Sequence, residues 1–420
     1  MSGYADILAA ANAALGRDPA DEAAAHAMAQ ALVMLGRAAD LHRLAEHLNI
    51  AAGPGKGWVV LATALHGLLA ERRYDALIAL CESSPPDTPG YILTAYYGGC
   101  SSMMDGDMEA AIARFDWFRR HVRFYAGHIA FVSHPLLSMI YRQGRMVAAP
   151  DEIDHRLAAP VVLPALETLG ELSAAADGEA AIFTCLDDQY FKLFGESFVA
   201  ANLGLNPTMP LILHVIGPGD ETRGELLDLT RRWPGRFAAT VEAKPLFTTV
   251  TYYASARFFV VDQMTERFGR PMISLDGELQ VPVERLNLAA ACRAQDFACF
   301  GTGRDEPGSV WQASVMWFGQ GAGTGRLTRA LRAYCQPELN HPSLMTWQLD
   351  QAALLACRHY FEMRGPPLAF ADLRDLLGLG LADVASDVPK AEAKESNKHG
   401  KMTGEVQILG PRLGDLYASL

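Results

Sequence analysis

The sequence predicts two fold classes in one chain, an all-α front third and an α/β body behind it. Three observations predict this. Alanine and leucine recur at helical spacing through the first third, around a short turn-like phrase that repeats. From about Glu179, short β-rich runs alternate with amphipathic helical stretches. Half of the 420 residues are hydrophobic and a fifth are charged, which suffices for two or three domains, each burying its own core.

The repeated phrase is Leu35-Gly36-Arg37-Ala38, then Glu71-Arg72-Arg73-Tyr74, then Asp105-Gly106-Asp107-Met108, at intervals of 36 and 34 residues. That period resembles the tetratricopeptide repeat, whose paired helices bury their apolar faces only when the next pair stacks on them. The third unit carries the resemblance best. After its turn, Ala110 and Ala111 let two helices approach closely, while Ile112 and Phe115 face inward three positions apart. The helical domain is expected over residues 1–150. Residues 121–175 read as further helix and a connecting stretch, broken at Pro150, Pro160 and Pro164.

The α/β body is expected over residues 175–382. Its strands read as 181–185, 211–216, 237–241, 272–275, 297–300 and 314–317, and its helices as 190–201, 222–232, 249–268, 325–335 and 347–363. Residues 383–404 are polar and nearly free of apolar anchors, which predicts a flexible linker. Residues 405–420 regain Val406, Ile408, Leu409 and Leu416 and read as a docking segment.

A net charge of -12 argues against nucleic acid or a polyanionic membrane surface as partner, so any phosphate must be met by a local group. The seven cysteines are scattered and never form a C-x-x-C pair, which reads as reduced core thiols. The start lacks a basic n-region. The longest apolar run, Trp58 to Ala70, is broken by His66 and too short for a bilayer, so no transmembrane segment and a cytoplasmic location are expected.

The most informative phrase is Arg270-Pro-Met-Ile-Ser-Leu-Asp276-Gly-Glu278, a buried strand ending in two carboxylates one residue apart. With a turn at Gly277, Asp276 and Glu278 both reach one divalent ion at the strand's carboxyl end, where α/β sheets leave their ligand crevice. Oxygen ligands suit Mg²⁺ or Mn²⁺. Upstream, Arg257 precedes the wholly apolar Phe258-Phe259-Val260-Val261, so it either snorkels at a helix edge or meets a buried anion. Downstream, Asp350 and Gln351 stand together at the start of an alanine- and leucine-rich helix.

Together these residues resemble the nucleotide-diphospho-sugar glycosyltransferases of the GT-A type. The resemblance rests on the first strand followed by Asp187, the Tyr-Ala-x-x-Arg-Phe-like helix at 253–258, the strand ending in Asp-x-Asp-like carboxylates, and the Trp-x-x-Asp-Gln helix. It covers roughly residues 179–365. It implies a Rossmann-like mixed sheet that binds a nucleoside-diphosphate sugar, with Asp276 and Glu278 holding Mn²⁺ or Mg²⁺ on the diphosphate. It further implies Asp187 near the base or ribose, Arg257 in the donor pocket, and Asp350 with Gln351 facing the transferred sugar or the acceptor. The acceptor is then a protein or a glycan, recruited by the helical repeats.

Two features depart from the family pattern. Glu278 stands where Asp is commoner, and the closing His-Gly is echoed only by His399-Gly400 inside the expected linker. These departures leave a second expectation open, a catalytically degenerate transferase that works as a repeat-based protein-binding scaffold. A nucleotidyltransferase would share the sheet and the metal. The string Gly319 to Gly325 satisfies neither the dinucleotide nor the P-loop spacing and reads as a loop, and Gly53-Pro-Gly-Lys56-Gly57 reads as a turn between helices.

Overall fold

Turns at three corresponding positions organise the helical region of this computed structural model, which describes residues 2–84, 86, 90–125, 134–175, 179–277, 279–340 and 348–379. The expected linker and docking segment at 383–420, and Glu278, lie outside those residues. Clustering of the chain gives two units: Met1–Ala149 with Asp305–Gly308, and Pro150–Arg304 with Ser309–Leu420.

The first unit contains α1 (Ser2–Arg17), α2 (Glu22–Met34), α3 (Ala38–Ala51), α4 (Lys56–Ala70), α5 (Tyr74–Ser83), α6 (Tyr91–Met104), α7 (Met108–Tyr125) and α8 (Pro135–Met146). The repeated phrase forms the turns of three hairpins, α2/α3, α4/α5 and α6/α7. Gly36, Arg72 and Gly106 occupy the left-handed region there, with φ of 68°, 56° and 87°. After α2 and α4 the amides of Arg37 and Arg73 reach back to the carbonyls of Leu32 and Leu68, which satisfies helix-end carbonyls in the manner of a Schellman motif.

The hairpins stack, α2 on α4 and α4 on α6. Their apolar faces make a core of Leu61, Leu65, Tyr96, Phe115 and Phe118, all fully buried. Backbones come very close at Gly57, where a Cβ would lie 1.7 Å from the Ala45 carbonyl oxygen. The Asn49 side chain holds this turn by accepting from the amides of Gly55 and Gly57.

The second unit is a mixed eight-stranded sheet with helices on both faces. Its strands are β1 (Glu167–Leu169), β2 (Ala181–Asp187), β3 (Leu211–Ile216), β4 (Phe237–Glu242), β5 (Met272–Leu275), β6 (Phe297–Gly301), β7 (Trp311–Phe318) and β8 (Phe370–Asp372), in spatial order β1-β4-β3-β2-β5-β7-β6-β8. Strands β4, β3, β2 and β5 run parallel, so their carboxyl ends share one edge. β7 is antiparallel to both β5 and β6, and β1 is antiparallel to β4.

The two faces follow from alternation along each strand. Ile182, Leu186, Leu213, Val215, Ala239, Val241, Ile273 and Leu275 point into one apolar core. The opposite face takes α12 (Val250–Phe268), which follows α9 (Pro150–Ala158), α10 (Glu196–Leu205) and α11 (Asp220–Arg232) and precedes α13 (Ala322–Leu339) and α14 (Leu349–Met363). The middle of α12 is buried almost all round, which explains why Arg257 is followed by four apolar residues. Gly269 in the left-handed region ends the helix. Between α12 and α13, Asp262 accepts from Thr328 and Arg332, fixing the pair.

Candidate functional site

The run Met272-Ile-Ser-Leu275 is fully buried because it lies between β2 and β7 in mid-sheet. It can stop only at the sheet's edge, and there Asp276 begins. The Asp276 amide still donates to the Ser314 carbonyl at 2.9 Å, and the Leu279 amide returns to the Asp276 carbonyl at 2.9 Å, closing a turn. Gly277 presses this turn against the end of β2, since a Cβ there would lie 2.2 Å from a methyl of Leu186.

Arg257 reaches the turn from α12. Its Nη2 donates to Asp276 Oδ1 at 2.7 Å, its Nη1 to the Ala313 carbonyl at 2.7 Å, and its Nε to the Ala254 carbonyl at 2.9 Å. The guanidinium is buried, whereas the Asp276 side chain keeps 32% of its surface in solvent. Asp350, in the first turn of α14, completes the group. It is buried, and its Oδ1 accepts the Gln351 amide at 2.9 Å. Burial pushes the Asp350 carboxyl above the ordinary aspartate range; the Arg257 charge opposes that rise and the Asp276 charge adds to it.

Three residues singled out in the sequence, Arg257, Asp276 and Asp350, therefore meet at the carboxyl edge, although 93 residues separate the first from the last. Asp187 stands at the same edge, at the end of β2, but its Oδ1 caps the following helical turn by accepting from the Tyr190 amide at 2.7 Å. Neither hydrogen bond nor ion pair joins it to the other three among the described residues. Gln351 contributes its backbone amide to Asp350. Glu278 lies outside the described residues.

A second polar group on the same face has no counterpart among the sequence candidates. Glu242, at the carboxyl end of β4, accepts from the Tyr252 hydroxyl at 2.9 Å and from the Leu246 amide, which pins the β4–α12 loop. His214 lies 3.5 Å from the same carboxylate through Nε2, with Thr240 at 3.0 Å from its Nδ1. All of these side chains are fully buried. Burial raises the Tyr252 hydroxyl's pKa, and the Glu242 charge raises it further. The available signal was alternation: Ala238, Thr240 and Glu242 share one side of β4, so a strand read as apolar ends in a carboxylate on the α12 face.

The glycine string before α13 is packed rather than open. A Cβ at Gly323 would lie 2.1 Å from the Asp296 carboxylate, and the Thr324 hydroxyl donates to the Asp296 carbonyl. All seven cysteines are free thiols, and six of them are buried.

The expected divalent ion needs a donor set. Among the described residues no group of three His, Cys, Asp or Glu side chains is arranged to hold one. Asp276 already spends one oxygen on Arg257, whose guanidinium two backbone carbonyls hold in place. An ion on Asp276 would sit about 5 Å from that fixed charge, a repulsion of roughly 7 kcal/mol at an effective dielectric of about 20. The described residues do not fit a metal, and no step below is routed through one.

No family model matches the chain, and no curated protein matches it. Among solved structures, the apo form of the WbbM bifunctional glycosyltransferase superposes with a TM-score of 0.32 at 13% identity, over 70% of this chain. The chain spans 57% of that protein's length. A superposition at that score carries no argument about activity. Among the described residues no helix is long and apolar enough to cross a membrane.

Proposed function

We propose that the sheet unit is a glycosyltransferase of the GT-A type, moving a sugar from a nucleoside-diphosphate sugar to a hydroxyl of a protein or glycan. The observation that carries this reading is the buried Arg257–Asp276 pair with Asp350 beside it, at the carboxyl edge of four parallel strands. The edge supplies one fixed positive charge, one half-exposed carboxylate, and one buried carboxyl with raised basicity.

In this reading the acceptor hydroxyl oxygen attacks the anomeric carbon and passes its proton to Asp350. The bond from that carbon to the diphosphate oxygen breaks, leaving its electron pair on the diphosphate, where Arg257 opposes the growing charge. Asp350 later returns its proton to solvent. Asp187 faces the nucleoside, and Gln351 lies beside the transferred sugar. Burial favours the acid form of Asp350, and the same effect makes its ionised form a stronger base.

The helical unit recruits the acceptor. Three hairpins with left-handed turns at matching positions support a tetratricopeptide-like reading, and stacks of that kind present an extended concave face to a peptide or a carrier-bound glycan.

The test is turnover. Incubation with UDP- and GDP-linked sugars should release the nucleoside diphosphate, and Asp350→Asn should slow that release by about 10²–10⁴-fold, the contribution typical of a positioned base. Release of pyrophosphate would point instead to nucleotidyl transfer. Absence of any release with every donor would favour the scaffold.

A further inference from the structure

Arg257 carries five N–H donors on a rigid planar fork. Three of them are spent, on the carbonyls of Ala254 and Ala313 and on Asp276. Two remain without a partner among the described residues, on a side chain that is buried and cannot swing away without abandoning both carbonyls. An arginine placed this way resembles a built cation more than a flexible surface charge. Its desolvation cost is met on folding, before any ligand arrives.

Asp276 is committed to the same arrangement. Its Oδ1 orients the guanidinium, and the partly exposed remainder of the carboxylate faces solvent. Through that pair the edge already contains, from its own side chains, the positive charge that the leaving diphosphate requires.

We propose that Arg257 takes the place of a divalent cation, so that the nucleoside-diphosphate donor binds without metal and its phosphate oxygens accept the two remaining guanidinium N–H groups. The inference rests on the glycosyltransferase reading and names the cation of that same site. Asp276 acts in it as a positioning residue, holding the fork towards the phosphates while its second oxygen accepts a hydroxyl of the donor.

The experiment is calorimetric titration of the full chain with UDP, GDP and their sugars, once in EDTA and once in Mn²⁺. Dissociation constants equal within about twofold in the two buffers are expected. Arg257→Gln should weaken binding about 10- to 100-fold, as for loss of a charged hydrogen-bonding partner, and Arg257→Lys, which keeps the charge and loses the fork, should fall between. The wild-type comparison stands even if a variant fails to fold. Binding seen only with Mn²⁺, or strengthened more than tenfold by it, overturns the inference and leaves the transferase reading standing. Binding of no nucleotide in either buffer overturns both.

Discussion

Asp350 is a single carboxyl whose chemistry and stability contribution pull in opposite directions. Its pKa is raised from 3.8 mainly by burial, so the folded state keeps a proton that the unfolded chain has already released. The resulting stabilisation is complete below about pH 3.8 and is lost as pH rises through the raised value. Asp350→Asn removes that titration. The variant is expected to be more stable than the wild type at neutral pH and to show a flatter stability profile above pH 4, measured by urea denaturation across pH, while losing turnover. A variant less stable than the wild type at pH 7 would mean that the carboxylate's attraction to Arg257 outweighs its burial.

At the same scale, chemistry-bearing residues were legible in the sequence only where local context exposed them. Asp276 ends an apolar strand and Arg257 precedes an apolar run, so each is conspicuous among its neighbours. That the two are partners was not legible, because the pairing depends on how α12 lies across β5. Glu242 and His214 escaped for the same reason. Their neighbours in sequence are apolar, and their shared environment is created only by the register of β3 against β4, which sets His214 opposite Thr240.

Elements with strong local signals match the sequence reading closely, and those that depend on a partner do not. β3 and β5 have the bounds that their apolar runs predict. β1 and β8, three residues each, carry no pattern of their own and exist because β4 and β6 offer free edges. β7 begins three residues before its expected start, because Trp311 and Gln312 pair with Gly301 and Phe300 beyond an irregularity in β6.

The repeated turn gives two predictions at this scale. Arg72 is a non-glycine residue in the left-handed region, whereas Gly36 and Gly106 fill the corresponding positions. Arg72→Gly should therefore raise stability by about 1 kcal/mol, read as a shift in the denaturation midpoint of the helical unit. Gly57→Ala should lower it by about 3 kcal/mol or more, because the added methyl has no room beside the Ala45 carbonyl.

At the scale of the whole molecule, the chain divides its tasks between two units with separate cores. Strand-edge chemistry belongs to one and stacked hairpins to the other. An overall charge of -12 makes the local guanidinium more significant, since an acidic body does not attract a diphosphate from a distance. Saturating nucleotide at about 100 times its dissociation constant should add roughly 2.7 kcal/mol of stability. Hydrogen exchange should slow at the carboxyl edge, around residues 250–277 and 348–351, with α1 to α8 unchanged.

The most direct measurement is a crystal structure of the full chain with UDP or GDP bound. The account predicts the diphosphate at the carboxyl edge of β2 and β5, within hydrogen-bond reach of Arg257 and beside Asp276 and Asp350. A nucleotide bound elsewhere, with the Arg257–Asp276 pair untouched and that edge empty, would contradict it.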